Sequence, residues 1–324
     1  MTLEPTTKAT ELVGPPAAEA GHGTTVPLAA PAGRRRALDV MRDYLALTKP
    51  RIIVLLLITT VTTMFVADPS GPSLATILWT MLGGYLAAGG AGAINHFVDR
   101  DRDARMARTC DRPLVTGRIN PAHGLAFGIA LAICSIGLLA ATVNLAAAAL
   151  ALSGLLGYVF VYTLWLKPVT PQNIVIGGAA GAVPPLVGWA AATGGLTWDA
   201  LYPFAIVFLW TPPHFWALAL LVKDDYERTG VPMLPVARGD ATTRRQILVY
   251  SVALVAFTVL PYVTGLFGWP YLAAALAFGA GFIGLAADLL RRPSRAAAVR
   301  LHLASLAYLA LLFGAMAADR ILLG

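Results

Sequence analysis

Two clusters of acidic and basic residues interrupt an otherwise apolar chain, and their types and spacing suit capture of a metal-bound phosphate. The first reads NHFVDRDRDARMARTCDRPLVTGRI, residues 95–119. Asn95, Asp99 and Asp103 stand at i, i+4 and i+8, so a helix continuing through them stacks all three on one face while Asp101 points elsewhere. A carboxamide and two carboxylates in line offer the oxygen ligands that Mg²⁺ prefers, with substrate phosphates completing its shell. Arg105, Arg108 and Arg112 follow and can grip the remaining phosphate oxygens as bidentate forks. A merely solvated loop would account for the arginines. It would not account for four aspartates (Asp99, Asp101, Asp103 and Asp111) at the edge of an apolar span.

The second cluster reads LLVKDDYERTGVPMLPVARGD, residues 220–240. Asp224 and Asp225 are further candidate metal ligands, and Lys223 and Arg228 further candidate diphosphate ligands. Arg112-Pro113-Leu114 and Val231-Pro232-Met233-Leu234 end the two clusters alike, a weak internal echo that suggests two acidic clamps facing one cavity. On its own the second cluster fits a site and ordinary loop charge equally well. A third feature, TPPHFWALAL (residues 211–220), places two prolines and an ionisable ring inside an apolar stretch. Such groups usually face a cavity or a partner. If the helix runs on, His214 lies roughly 16 Å deeper than Asp225, too deep for a diphosphate but suited to a second substrate. A histidine hydrogen-bonded within the bundle fits as well, and His302 reads as structural. Tyr162, Lys167, Gln172 and Asn173 are polar groups at a span boundary that could also line the site.

The elements that must carry these residues follow from composition. Of 324 residues, 57% are hydrophobic and 13% charged, against about 25% charged in a soluble domain. The apolar excess calls for lipid as its surroundings. Nine stretches reach the roughly 20 residues that a span needs: 44–67, 74–94, 123–141, 143–165, 172–193, 198–222, 247–265, 269–290 and 297–318. The expected fold is all-α and polytopic. The net charge of +7 lies between the spans, which speaks for a membrane and against nucleic acid. Lys and Arg gather at or before Arg51, at the start of the first span, and in or just beyond the connection after every even-numbered span, which leaves only Arg320 near the C-terminus. The N-terminus is therefore expected inside and the C-terminus outside. Residues 1–36, rich in Pro, Thr, Ala and Gly, read as a disordered tail ahead of a single domain at 37–324. No basic segment, apolar run and small-residue cleavage site occur in order there, so no signal peptide is expected. Cys110 and Cys134 give no disulfide framework.

Four segments carry a family resemblance: DYLALTKPR (43–51), the 95–119 cluster, YTLWLKPVTPQNIVIGGAAGAVPPLVGWAA (162–191) and WTPPHFWALALLVKDDYERTGVPMLPV (210–236). Together they resemble the protoheme IX farnesyltransferase (haem O synthase) family of the UbiA superfamily of intramembrane prenyltransferases. The resemblance implies nine helices around a central cavity under a cytoplasmic cap, in a bacterial inner membrane. It implies Mg²⁺-dependent transfer of farnesyl from farnesyl diphosphate to a vinyl group of haem B, giving haem O for terminal oxidases. Haem A synthase or oxidase assembly factors would be partners, and His214, Trp216 and Tyr162 would line the acceptor pocket. The adjacent Asp224 and Asp225 depart from the spaced aspartate pair of many superfamily members, which puts their metal role in doubt. A prenyltransferase of quinone precursors shares the first cluster but explains the 211–220 segment poorly. A transporter would place its buried charge at midplane and not at one mouth.

Overall fold

The computed structural model describes residues 36–323, so the expected tail at 1–36 lies, but for Arg36, outside the described residues. The described chain is helical throughout: α1 (Ala37–Thr48), α2 (Pro50–Ala67), α3 (Leu74–Val98), a single turn α4 (Arg100–Asp103), α5 (Pro121–Thr142) and α6 (Leu145–Leu156). A π-helical stretch, Gly157–Leu166, continues α6 into the short α7 (Lys167–Val169). Then come α8 (Asn173–Gly181), α9 (Val183–Thr193), α10 (Leu201–Leu221), α11 (Lys223–Arg228), α12 (Leu234–Phe257), α13 (Leu260–Val263), α14 (Trp269–Arg291) and α15 (Arg295–Leu323). Nine helical segments among the described residues are long and apolar enough to cross a membrane.

Three boundaries differ from the sequence reading, each for a local reason. The first span does not begin at Tyr44. Lys49 adopts the left-handed conformation (φ 57°, ψ 54°) before Pro50, which opens α2 at a position where a missing N–H is harmless. The chain turns there, and α1 is a separate helix. The seventh span reaches back to Leu234 through a non-helical Gly239 (φ 78°), so part of the second cluster is helical rather than loop. Finally, α10 stops at Leu221 and α11 restarts beyond Val222 (φ −121°, ψ 28°). His214 and Asp225 therefore do not share one continuous helix. Pro212 and Pro213 leave α10 unbroken, whereas span five divides at Ala182 ahead of Pro184 and Pro185.

The spans form two groups joined by α2 and by span five, whose α8 and α9 both pack on α10. One chain of contacts runs α3–α5–α6–α9, and another links α10, α12, α14 and α15; α2 packs against both α9 and α15. Without a hydrophobic drive between helices in lipid, close approach depends on small residues. Gly188 is the tightest case, since a Cβ there would lie 2.2 Å from the Thr60 carbonyl oxygen of α2. The sequence AAGGAGA (87–93) does the same for α3, where Gly90 abuts the Gly128 carbonyl of α5.

Candidate active site

Helical hydrogen bonding runs on past the end of α3. The Asp99 N–H donates to the Asn95 carbonyl (2.9 Å) and the Asp103 N–H to the Asp99 carbonyl (2.8 Å). The i, i+4, i+8 spacing thus brings Asn95, Asp99 and Asp103 onto one buried face, with Asp99 1% and Asp103 4% exposed. The Asp101 side chain, 84% exposed, pairs with Arg100.

Cations surround the buried acids. Lys49 Nζ donates to Asn95 Oδ1 at 2.7 Å, and Asn95 Nδ2 donates to Asp99 Oδ2 at 2.8 Å and to Thr163 Oγ1 at 3.2 Å. Lys167 Nζ reaches Asp99 Oδ2 and Arg102 reaches its Oδ1 (3.2 Å), while Arg112 pairs with Asp103. Burial works to raise the Asp99 carboxyl, but the charge and hydrogen bond of Lys167, helped by Asn95, hold it below the usual carboxylate range. For Lys49, burial and then the like charges of Arg112 and Lys167 push its ammonium down to about 7. A group so placed gains from an added anion. Lys49 also holds a strained backbone, of order 1–3 kcal/mol, at the point where it aims its ammonium into the cluster.

Thr163 and Lys167 come from the π-helical stretch and its end, where Thr163 Oγ1 donates to the Tyr158 carbonyl five residues back (2.8 Å). Such irregular turns recur at functional sites. Tyr162, on the same stretch, packs over Gly177, where a Cβ would meet its ring at 2.4 Å. His96 is buried beside Asn95 with no partner for either ring nitrogen.

The second cluster meets the first through Asp225. Asp225 is buried, and its carboxylate accepts the backbone N–H groups of Ala107 (3.0 Å) and Arg108 (3.4 Å) and pairs with Arg228. These contacts hold its carboxyl below the ordinary range against the opposing effect of burial. The acid thereby latches the 104–112 loop. Asp224 is exposed, and Lys223 turns to Asp240 (3.2 Å) and Glu227 (3.5 Å). Arg105 and Arg108 are exposed on the latched loop. No three His, Cys, Asp or Glu side chains among the described residues converge on a metal position. The oxygen donors that do lie together are Asn95, Asp99 and Asp103. They suit Mg²⁺, which needs only one or two carboxylates when phosphates and water fill the rest of its shell.

Next to this polar cluster opens a cavity of about 240 Å³ between α2, α3, α6 and α9. Lys49 and Tyr158 stand in its wall, along with Leu56 and Thr60 of α2, Ala88 and Gly92 of α3, and Val187 of α9. Along α2 from Lys49 to Thr60 it extends eleven residues, roughly 16 Å at the helical rise. The small residues of α3 hollow it out.

Of the three residues expected around the acceptor, Tyr162 and His214 are half-buried. Trp216 is not beside His214. Two helical positions turn it about 200° away, and it is buried edge-on to Tyr250, 5.3 Å between centroids, with its Nε1 unpartnered. His302, expected to be structural, stacks on His214. Sequence reasoning missed Lys49 and Thr163 as parts of the cluster. The Lys-Pro step at 49–50 was the available signal for the first; nothing in the residue pattern marks the second.

An acid-and-cation cluster at the ends of membrane spans, opening onto an apolar cavity, defines a class of intramembrane enzyme. The chain matches the UbiA prenyltransferase family over residues 56–313 and belongs to it. Its curated relatives include the protoheme IX farnesyltransferases of Gloeobacter violaceus (52% identical over 284 residues, 87% of this chain and 93% of that one) and Symbiobacterium thermophilum (53% identical, 87% and 95%). That of Roseiflexus sp. strain RS-1 is 52% identical over 283 residues, and this chain spans about half of its length (53%). The fold is that of a digeranylgeranylglyceryl phosphate synthase (TM-score 0.72, 20% identity, covering 87% of this chain and 99% of that one). It is also that of a UbiA homologue from Archaeoglobus fulgidus bound to DMAPP and Mg²⁺ (TM-score 0.64, 17% identity, 85% and 99%).

Proposed function

We propose that the chain transfers the farnesyl group of farnesyl diphosphate to a vinyl group of haem B, water adding to give the hydroxyethylfarnesyl side chain of haem O. The observation that carries this reading is the junction of the cation-rich acidic cluster with the apolar cavity. A diphosphate and a prenyl chain need these two environments end to end. The names of the relatives supply the acceptor.

In the free protein Asp99 and Asp103 hold Lys167, Arg102 and Arg112 in place. When the diphosphate arrives, Lys49, Lys167 and Arg112 turn to its oxygens, and Arg105 and Arg108 close over it from the latched loop. Asn95, Asp99 and Asp103, freed of their cations, would hold Mg²⁺. Bound there, the metal would supply further neutralisation of the leaving diphosphate. As the C1–O bond breaks, the cations stabilise the departing diphosphate, and the cavity shields the allylic cation from water. The vinyl group attacks C1, and water captures the resulting cation with loss of a proton. His214 and Tyr162 line the acceptor side. We place the chain in the bacterial inner membrane, with its N-terminus cytoplasmic and its C-terminus periplasmic, and with haem A synthase or oxidase assembly factors as neighbours.

Incubating the purified protein with haem B, farnesyl diphosphate and Mg²⁺ tests the reading. Pigment should gain the mass of one farnesyl group plus one hydroxyl, with one pyrophosphate released per haem consumed. Unchanged haem, with prenylation of a quinone precursor in a parallel reaction, would overturn it.

A further inference from the structure

One set of polar side chains lies within the spans, away from the acidic cluster: Trp210 and His214 on α10, and His302 and Ser305 on α15. The His214 ring is sandwiched between Trp210 (centroids 4.2 Å apart, planes at 16°) and His302 (4.5 Å, 25°). Hydrogen bonds fix both tautomers. Ser305 Oγ donates its one proton to the His302 carbonyl at 2.6 Å. Towards His214 Nδ1, 2.6 Å away, it can therefore only accept. His214 thus carries its proton on Nδ1 and a lone pair on Nε2. His302 Nδ1 faces the His214 carbonyl at 3.3 Å, an acceptor only, so its Nε2 is a lone pair as well. Trp210 Nε1 donates to the Ser305 carbonyl at 2.8 Å and ties the group together. Both imidazoles are half-buried and keep Nε2 unengaged by protein donors.

We propose that this cluster is the iron-binding end of the acceptor site, with His214 Nε2 the axial ligand of a metalloporphyrin and Ser305, His302 and Trp210 its positioning residues. The proposal rests on the haem reading given above. A metal-bound imidazole almost always donates its other N–H to an oxygen, which fixes its orientation and raises its basicity. His214 meets that requirement with the shorter Nδ1 bond and is stacked on both faces, so it is the better-held ring. Two rings stacked 4.5 Å apart lie on one side of any iron and cannot ligate opposite faces. One of the two histidines would therefore bind the iron, and His214 is the one held for it.

Titrating the purified full chain with ferric haem and, separately, with metal-free protoporphyrin IX tests this. His214→Ala should weaken haem binding roughly tenfold or more and displace the Soret band. Its affinity for metal-free protoporphyrin and for farnesyl diphosphate should stay at the wild-type value. Added imidazole should restore the band. Ser305→Ala should shift the band and weaken haem, but not protoporphyrin, by a smaller factor. His214→Gln, which retains a donor to Ser305, covers a folding failure of the alanine variant and should lose the band equally. Equal haem affinity with an unchanged Soret band in these variants would overturn the proposal, as would equal losses for haem and protoporphyrin. A wild-type protein that binds neither porphyrin would instead overturn the haem reading, and this inference with it.

Discussion

Replacing Asp225 by asparagine separates a latch from a metal ligand. The carboxylate accepts the N–H groups of Ala107 and Arg108, 3.0 and 3.4 Å away, and pairs with Arg228. Asparagine keeps one accepting oxygen and turns an NH₂ group towards a second donor. A charge-assisted hydrogen bond contributes about 1.5–3 kcal/mol. The Arg228 side chain is 53% exposed, so its pair with Asp225 adds about 0–1 kcal/mol. Closure of the 104–112 loop should therefore weaken by about 1.5–3 kcal/mol, roughly 10- to 150-fold in population. Because Arg105, Arg108 and Arg112 ride on that loop, KM for farnesyl diphosphate should rise while kcat falls far less. Hydrogen exchange at the Ala107 and Arg108 amides should accelerate. The Mg²⁺ concentration giving half-maximal rate should stay where it is. A large upward shift in that Mg²⁺ midpoint, with exchange at the two amides unchanged, would make Asp225 a metal ligand and refute the latch.

The same geometry yields four further expectations. Asp99→Ala or Asp103→Ala should abolish turnover with membrane insertion intact, whereas Asp101→Ala, altering a solvent-exposed side chain, should retain most of it; equal loss in all three would sink the helix-face argument. Gly188→Ala should destabilise the protein by about 1–3 kcal/mol through overpacking against the Thr60 carbonyl, read as a lower melting temperature in detergent, and an unaltered melt would contradict the close α2–α9 contact. With its folded carboxyl held below the ordinary range, Asp225 should keep the latch at any pH above about 4 and lose it only as pH falls through the lower folded value. Exchange at Ala107, corrected for intrinsic rate, should then be flat across neutral pH and rise only in acid. A reporter after Arg118 should read as cytoplasmic and one at the C-terminus as periplasmic; matching signals would exclude an odd number of crossings between them.

Much of this arrangement is legible in the residue pattern. Apolar runs of span length are a strong signal, and the Asn95–Asp99–Asp103 periodicity survives because helical hydrogen bonds continue beyond Val98. What escaped was set by tertiary contact or by backbone. Asp225 bonds to main-chain amides over 100 positions away, and an amide carries no residue-type signal. The π-helical placing of Thr163 has no periodicity of its own to reveal it. Trp216 stands only two positions from His214, and the helical turn sends the two rings to different sides. The pairing of His302 with His214 needs α15 folded against α10 before it exists.

A structure of the protein with Mg²⁺ and an unreactive thio-analogue of farnesyl diphosphate tests the central claim most directly. The account predicts the diphosphate against Lys49, Lys167 and Arg112, metal density beside Asp99 and Asp103, and the farnesyl chain in the cavity between α2 and α3. A diphosphate bound elsewhere, with Asp99 still paired to Lys167 and Asp103 to Arg112, would contradict it.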